Sequence, residues 1–303
     1  MMGFTPMFQR AALLSLAGLA VLPAFADDSC DVCSQWNEPV DPFRIYGNTF
    51  YVGAKGISSI LITSPQGHVL IDGGLPESAP LIASNIVALG FKFEDVKLIL
   101  NSHAHFDHAG GLAELARESG AQIVMSPWSA SVLRSGGQAS EADPQFGLLP
   151  RYPSWSHPQT VADGEIVKLG PLRITAHYTG GHTPGGTSWT WQSCDNNDHC
   201  YNLVYADSLT AVAAPGFHYS EPKAYRSVLA DFEHSFSLIE NLDCDILLTP
   251  HPDASALWQR REAQEEGDKN NPFVDPQACK NYVAIARLGL QKRLAEEQAP
   301  PAK

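Results

Sequence analysis

The sequence predicts an α/β protein in which two β-sheets pack face to face with helices outside. Three observations carry this. Short strand-like runs separated by turn residues open the chain after residue 43, strands then alternate with helices, and the second half repeats the order of strands before helices.

The elements follow in order. "FRIYGNTFYVG", "SSILITS" and "GHVLIDGG" read as the first strands of a meandering sheet. "ESAPLIASNIVALGF" places Leu81, Ile82, Asn85, Ile86 and Leu89 on one helical face, and Gly90 supplies the stop. "VKLILNS" is a buried strand, "GLAELARES" a short helix and "AQIVMS" another strand. Residues 135–163 are rich in Gly, Ser and Pro with weak periodicity, so they form a long surface loop, a length associated with function or mobility. The second half offers strands "LRITAHYT", "GTSWTWQS" and "NLVYADS", a helix over 224–241, the strand "DILLTP" ending at His251, and a terminal helix over 277–297. No short-period repeat is visible.

Bulk properties narrow the function. A chain of 303 residues, 44% hydrophobic and 17% charged, suits a globular enzyme with a sizeable core. A net charge of -13 argues against nucleic acid or an anionic membrane surface as partner, though a metal site can still create a local positive field for an anionic substrate. Residues 1–26 read as an export signal: Arg10, then the apolar "AALLSLAGLAVL", then the small-x-small "AFA". Residues 27–303 are then the mature chain, one domain, exported to the periplasm. In an oxidising compartment six cysteines suggest disulfides. Local pairing joins Cys194 to Cys200 and Cys244 to Cys279, which leaves Cys30 and Cys33 for each other or as thiols. Sequence alone does not fix the connectivity.

The chemistry concentrates in "NSHAHFDHAGG", residues 101–111. A buried strand runs directly into it and a helix is expected near Gly110, so His103, His105, Asp107 and His108 lie at the C-terminal edge of a sheet, where side chains converge. His103 and His105 share a side if strand character persists. One ion does not comfortably hold four such groups plus water, whereas two neighbouring ions do. His182 in "TGGHTPGG" and His251 after "DILLTP" also sit at strand ends. Imidazole and carboxylate without thiolate suit zinc, and also iron or manganese.

His-x-His-x-Asp-His, a later Gly-His-Thr, a final Pro-His and "LIDGG" around Asp72 resemble the metallo-β-lactamase superfamily. "YADSLTA", "DPQFG", "WTWQSC" and the Cys244 and Cys279 pair are similar to one branch, the third subclass of class B β-lactamases. The resemblance implies an αβ/βα four-layer sandwich and two zinc ions, one on His103, His105 and His182, the other on Asp107, His108 and His251. It implies hydrolysis of the β-lactam ring, with Asp107 helping to deliver a proton, and Ser208, Thr210 and Gln145 contacting substrate. Asp207 either bridges the metals, as in many relatives, or orients a ligand histidine, the role the lactamase likeness favours. Asp72 reads as structural. Gly180-Gly181 departs from the commoner Pro-Gly before the histidine. The expected assembly is a monomer. The competing readings are a secreted lactonase or thioesterase of the same superfamily, and a non-catalytic metal-binding or redox module using Cys30 and Cys33. The second lacks a thioredoxin-like context.

Overall fold

The computed structural model describes residues 1–3, 30, 32–267 and 270–299. Residues 1–30 and 31–303 form separate compact units, and the architecture below is that of the second. The export signal and its cleavage site lie outside the described residues apart from residues 1–3.

Seven strands form the first sheet in sequence order: β1 (Phe43–Tyr46), β2 (Thr49–Tyr51), β3 (Ile60–Ile62), β4 (His68–Ile71), β5 (Val96–Leu100), β6 (Gln122–Met125) and β7 (Gln159–Thr160). β1 to β4 are antiparallel neighbours, and β4 to β7 are parallel. The second sheet has the order β12-β11-β10-β9-β8, from β8 (Ile166–Leu169), β9 (Leu172–Tyr178), β10 (Thr187–Cys194), β11 (Cys200–Tyr205) and β12 (Ile246–Leu248). The helices are α1 (Cys33–Trp36), α2 (Ala79–Ala88), α3 (Phe106–Ala109), α4 (Leu112–Ser119), α5 (Pro127–Arg134), α6 (Val228–Glu240), α7 (Leu257–Glu265) and α8 (Ala278–Gln298).

Alternation along the strands builds the layers. In β4, Val69 and Ile71 face the space between the sheets, while Leu70 faces the helices. Ile60 and Ile62 divide from Leu61 in the same way, and Leu203 and Tyr205 from Val204. Both faces are therefore apolar, which explains the unbroken hydrophobic runs. Trp189, Trp191, Ile174 and Leu248 close the central layer from the second sheet. Ile82, Ile86, Leu112, Leu115 and Leu133 cover the outside of the first sheet, and Phe232, Phe236, Tyr282 and Val283 cover the second. Helix, sheet, sheet and helix stack as the expected four layers.

Several local expectations need correction. "FRIYGNTFYVG" is a hairpin, with Gly47 at φ 51° in its turn. The strand before the histidine cluster stops at Leu100, so His103 and His105 sit in a loop, and Phe106–Ala109 already forms a helical turn. β11 ends at Tyr205, so Ser208 and Thr210 lie on irregular backbone. The sequence reading also passed over α1, α5, α7, β7 and β8; β7 lies within residues 135–163, so that stretch is not loop throughout and its end pairs with β6. Cys194–Cys200 and Cys244–Cys279 are bonded, and no described cysteine is free.

Candidate metal centre

One buried carboxylate knits three strand ends beneath the site. Asp72, at the end of β4, accepts from Ser102 N at 2.7 Å, Ser102 Oγ at 2.6 Å, Asn101 Nδ2 at 3.0 Å and Tyr205 Oη at 2.8 Å. Its backbone is left-handed, φ 61°, a conformation aspartate tolerates better than most residues. Asp72 is thus structural, as expected. The glycines after the cluster have a steric purpose: a Cβ on Gly111 would lie 2.3 Å from the Gly73 carbonyl oxygen. Only glycine lets the helical turn bearing Asp107 and His108 press against the end of β4.

Three imidazoles then converge, each with one nitrogen held by a carboxylate or carbonyl oxygen and the other turned toward a shared centre. His103 Nδ1 pairs with Asp207 Oδ1 at 2.7 Å, His105 Nε2 with Asp143 Oδ2 at 3.1 Å, and His182 Nδ1 with the Thr210 carbonyl oxygen at 2.8 Å. Their ring centroids lie 4.7 to 5.0 Å apart, and one ligand atom from each falls within 4.8 Å of the others. Holding one nitrogen fixes which nitrogen faces the centre. Asp207 therefore meets a ligand histidine, as the lactamase likeness favours.

Asp107 collects the remaining donors. Its Oδ2 lies 3.2 Å from His108 Nε2 and 3.4 Å from His251 Nε2. His251 Nδ1 donates to the Gly56 carbonyl oxygen at 3.1 Å. The second tight group of ligand atoms comprises His103, Asp107 and His108, with His251 at its open edge, its side chain 36% exposed. His103 Nε2 and both His108 nitrogens are buried without a hydrogen-bond partner among protein atoms. Orphaned donors are costly unless something fills the space between them, and a cation held by nitrogen and oxygen ligands fits that donor set.

The electrostatics agree at His182 and His103, whereas against the effect of burial Asp143 raises His105 and Asp107 raises His251. Burial, with His103 and His105 adding to it, pushes His182 down to about 3. Burial also lowers His103 strongly, with His108 and His105 contributing. These rings are therefore neutral, the form that ligates. Burial works against ionised Asp107, yet His108 and His251 hold it well below the usual carboxylate range. Burial raises Asp207 to about 6, so its ionised form gains from a cation beside His103.

A cavity of about 410 Å³ opens over these groups. Gln145, Ser208 and Thr210 line it with the metal-facing residues, and Trp36, Leu149 and Val212 supply apolar lips. The Trp36 ring lies 5.2 Å from that of His251. Sequence reasoning missed Asp143 and Trp36. The quoted "DPQFG" contained the first, but only its glutamine was singled out; nothing local marks the second.

A metallo-β-lactamase superfamily profile matches residues 52–195. The Rm3 metallo-β-lactamase structure is 57% identical with a TM-score of 0.87, over 89% of this chain and 100% of that one. MEM-A1, a subclass B3 metallo-β-lactamase from a soil metagenome library, is 55% identical with a TM-score of 0.84, over 86% and 98%. SMB-1 bound to 2-mercaptoethanesulfonate is 45% identical with a TM-score of 0.82, over 87% and 99%. A hydroxyacylglutathione hydrolase of Anaeromyxobacter dehalogenans (strain 2CP-C) is 33% identical over 149 residues, 49% of this chain and 45% of that protein. The N-acyl homoserine lactonase AttM of Agrobacterium fabrum (strain C58 / ATCC 33970) is 26% identical over 235 residues, 66% of this chain and 83% of that protein. The chain thus spans less than half of the first of these two curated relatives.

Proposed function

This chain belongs to the metallo-β-lactamase superfamily, and on that premise we propose that it is a zinc-dependent β-lactamase of the third subclass, hydrolysing the amide of the β-lactam ring. The observation that carries the reading is the double convergence of His103, His105 and His182 with Asp107, His108 and His251, on a chain that is 57% identical to a β-lactamase along that protein's whole length. His103 Nε2, His105 Nδ1 and His182 Nε2 would hold one zinc ion, and Asp107, His108 and His251 a second. When bound, the zinc supplies a hydroxide nucleophile near neutral pH and Lewis-acid polarisation of the amide carbonyl.

The chain's own residues do the rest. Asp107 Oδ2 takes the proton released by the attacking water and returns one to the nitrogen freed by ring opening. His108 and His251 hold its pKa well below the usual carboxylate range, so it is ionised and able to accept a proton. Ser208 and Thr210 hydroxyls hold the substrate carboxylate, and Gln145, which lines the same groove, adds a further contact. Trp36, Leu149 and Val212 seat apolar side arms and thin the water over the reacting bond. Asp207 spends one oxygen on His103, which supports a positioning role in place of bridging.

We place residues 27–303 in the periplasm as a monomeric catalytic domain, with residues 1–26 removed on export. Two bonded cysteine pairs support an oxidising compartment. No described helix is long and apolar enough to cross a membrane.

The test is turnover of a carbapenem, a cephalosporin, an acyl homoserine lactone and an acylglutathione by the purified periplasmic form, with metal content measured on the same sample. Zinc-dependent turnover should be confined to the two β-lactams, lost with chelator and restored by zinc. Preferential turnover of the lactone or the thioester would overturn the substrate assignment.

A further inference from the structure

The loop over residues 135–163 is tied to the metal centre at several points, and the ties share a short turn. Asp143 is 1% exposed, and Pro144, Tyr152 and Val161 of the same loop are buried with it. Its carboxylate faces His105 Nε2, with Oδ2 at 3.1 Å and Oδ1 at 3.3 Å. Oδ1 also accepts from Gln145 N at 2.9 Å, which closes the Asp143-Pro144-Gln145 turn. That turn sends the Gln145 amide to within 3.4 Å of His182 Nε2, the centre-facing nitrogen of another ligand candidate. Its proline carbonyl accepts from Ala214 N at 2.8 Å and so joins the segment carrying Val212, another residue of the groove. Further along the loop, Tyr152 Oη donates to the Ala104 carbonyl oxygen at 2.7 Å, between the first two histidines.

We propose that Asp143 is a positioning residue that acts in two directions from one carboxylate: it fixes the His105 ring so that Nδ1 faces the metal, and it holds the turn that aims Gln145 into the groove. The inference rests on the assignment of His105 as a ligand. The physical argument is reciprocity. A cation that binds better when the ring is fixed must stabilise the loop conformation that fixes it. Metal at the triple-histidine site therefore orders a wall of the substrate groove, and the loop in turn tightens metal binding. Backbone bonds such as Asp143 N to Ser140 O and Phe146 N to Asp143 O fold the loop locally, and a carboxylate bonded to a ligand candidate clasps it to the centre.

The experiment uses the mature chain with disulfides intact. Zinc affinity is measured by competition with a chromophoric chelator, and loop order by the rate of tryptic cleavage at exposed Arg151, each with and without zinc. Asp143→Ala should weaken zinc binding roughly 10- to 100-fold. Asp143→Asn keeps an acceptor without its charge and should recover part of the loss. Zinc should slow cleavage at Arg151 in the parent chain and lose that effect in Asp143→Ala. Circular dichroism of the metal-free variants separates misfolding from loss of the clasp, and Asp143→Asn carries the test if the alanine variant misfolds. Parent-like zinc affinity in both Asp143 variants, with His105→Ala losing the site, overturns the inference and leaves the metal centre standing. Zinc protection of Arg151 that survives in Asp143→Ala overturns the coupling to the loop. Parent-like zinc affinity in His105→Ala overturns the metal-centre reading itself.

Discussion

Removing one oxygen from Tyr282 tests whether the substrate wall is held by the terminal helix. Tyr282 lies on α8, and its hydroxyl does two jobs: it donates to the Asp207 carbonyl oxygen at 2.9 Å and accepts from Leu209 N at 3.2 Å. Asp207 and Leu209 are fully buried, and the segment they belong to has left the sheet at Tyr205. Tyr282→Phe therefore strands a buried carbonyl and a buried amide while preserving the ring. At roughly 1–3 kcal/mol for each stranded group, the loss should be about 2–5 kcal/mol after some relaxation. Tyr219 is the internal control. Its hydroxyl donates to the Val212 carbonyl oxygen alone, at 2.8 Å, so Tyr219→Phe should cost about 1 kcal/mol.

Urea unfolding of the metal-free, disulfide-intact chains reads the difference without zinc linkage adding to it. The functional counterpart is KM. Ser208 lies between the two groups that Tyr282 holds, and Thr210 follows directly, so KM for a carbapenem should rise at saturating zinc with metal content unchanged. A loss in Tyr282→Phe no larger than in Tyr219→Phe, or an unchanged KM, would refute the claim that α8 sets the geometry of the wall.

Further predictions follow from the same framework. Ser208→Ala combined with Thr210→Ala should raise KM by at least about tenfold, each hydrogen bond to a charged group being worth about 1.5–3 kcal/mol. Zinc affinity should fall less than KM rises, because His182 Nδ1 keeps the Thr210 carbonyl at 2.8 Å and loses only the Thr210 hydroxyl at 3.1 Å. Glu297 should make stability acid-sensitive. Burial works against its charge, but the amides of Ser220 and Tyr219 and the Arg293 guanidinium lower its pKa from 4.5. Its contribution is thus complete above pH 4.5 and lost as pH falls through the lower folded value. Glu297→Gln should then destabilise at pH 7 and make little difference near pH 3 in urea titrations. The disulfides should rank by loop length. By chain entropy, removing Cys244–Cys279 (separation 35) should cost about 4 kcal/mol and Cys194–Cys200 (separation 6) about 2. The opposite order in denaturant midpoints would count against the entropic account.

What the sequence made legible was whatever repeats locally. β3, β4 and β12 are buried at every residue, so "ILI", "VLI" and "ILL" read as apolar runs, and α2 and α6 carry a clear buried stripe. The elements passed over lack that signature. α7 buries only Leu257 fully, so its helical propensity had no apolar periodicity to announce it. β8 is only partly covered, and Ile166 is 45% exposed. α5 did carry a local mark: Ser126 accepts from Ser129 N, and Pro127 opens the helix. Its start was readable from capping chemistry, which hydrophobic periodicity does not sample.

The same division runs through the candidate site. The six candidate ligands stand at or just beyond strand ends, where backbone direction is already set by the sheets, so chain order alone suggested their convergence. The groups that orient them obey no such rule. Asp143 reaches His105 across 38 residues, Asp207 reaches His103 across 104, and Gly56 accepts from His251 across 195. Each partner sits on irregular backbone whose position depends on the packed whole. A metal centre of this kind therefore splits into a part specified by the strands and a part specified by the loops. Substrate contacts belong to the second part: Gln145 and Ser208 adjoin the orienting residues Asp143 and Asp207, and Gln145 and Thr210 also touch His182 from irregular backbone. Changing a loop to accept a different substrate consequently disturbs the hydrogen bonds that set the metal, and the two properties should vary together across variants of this chain.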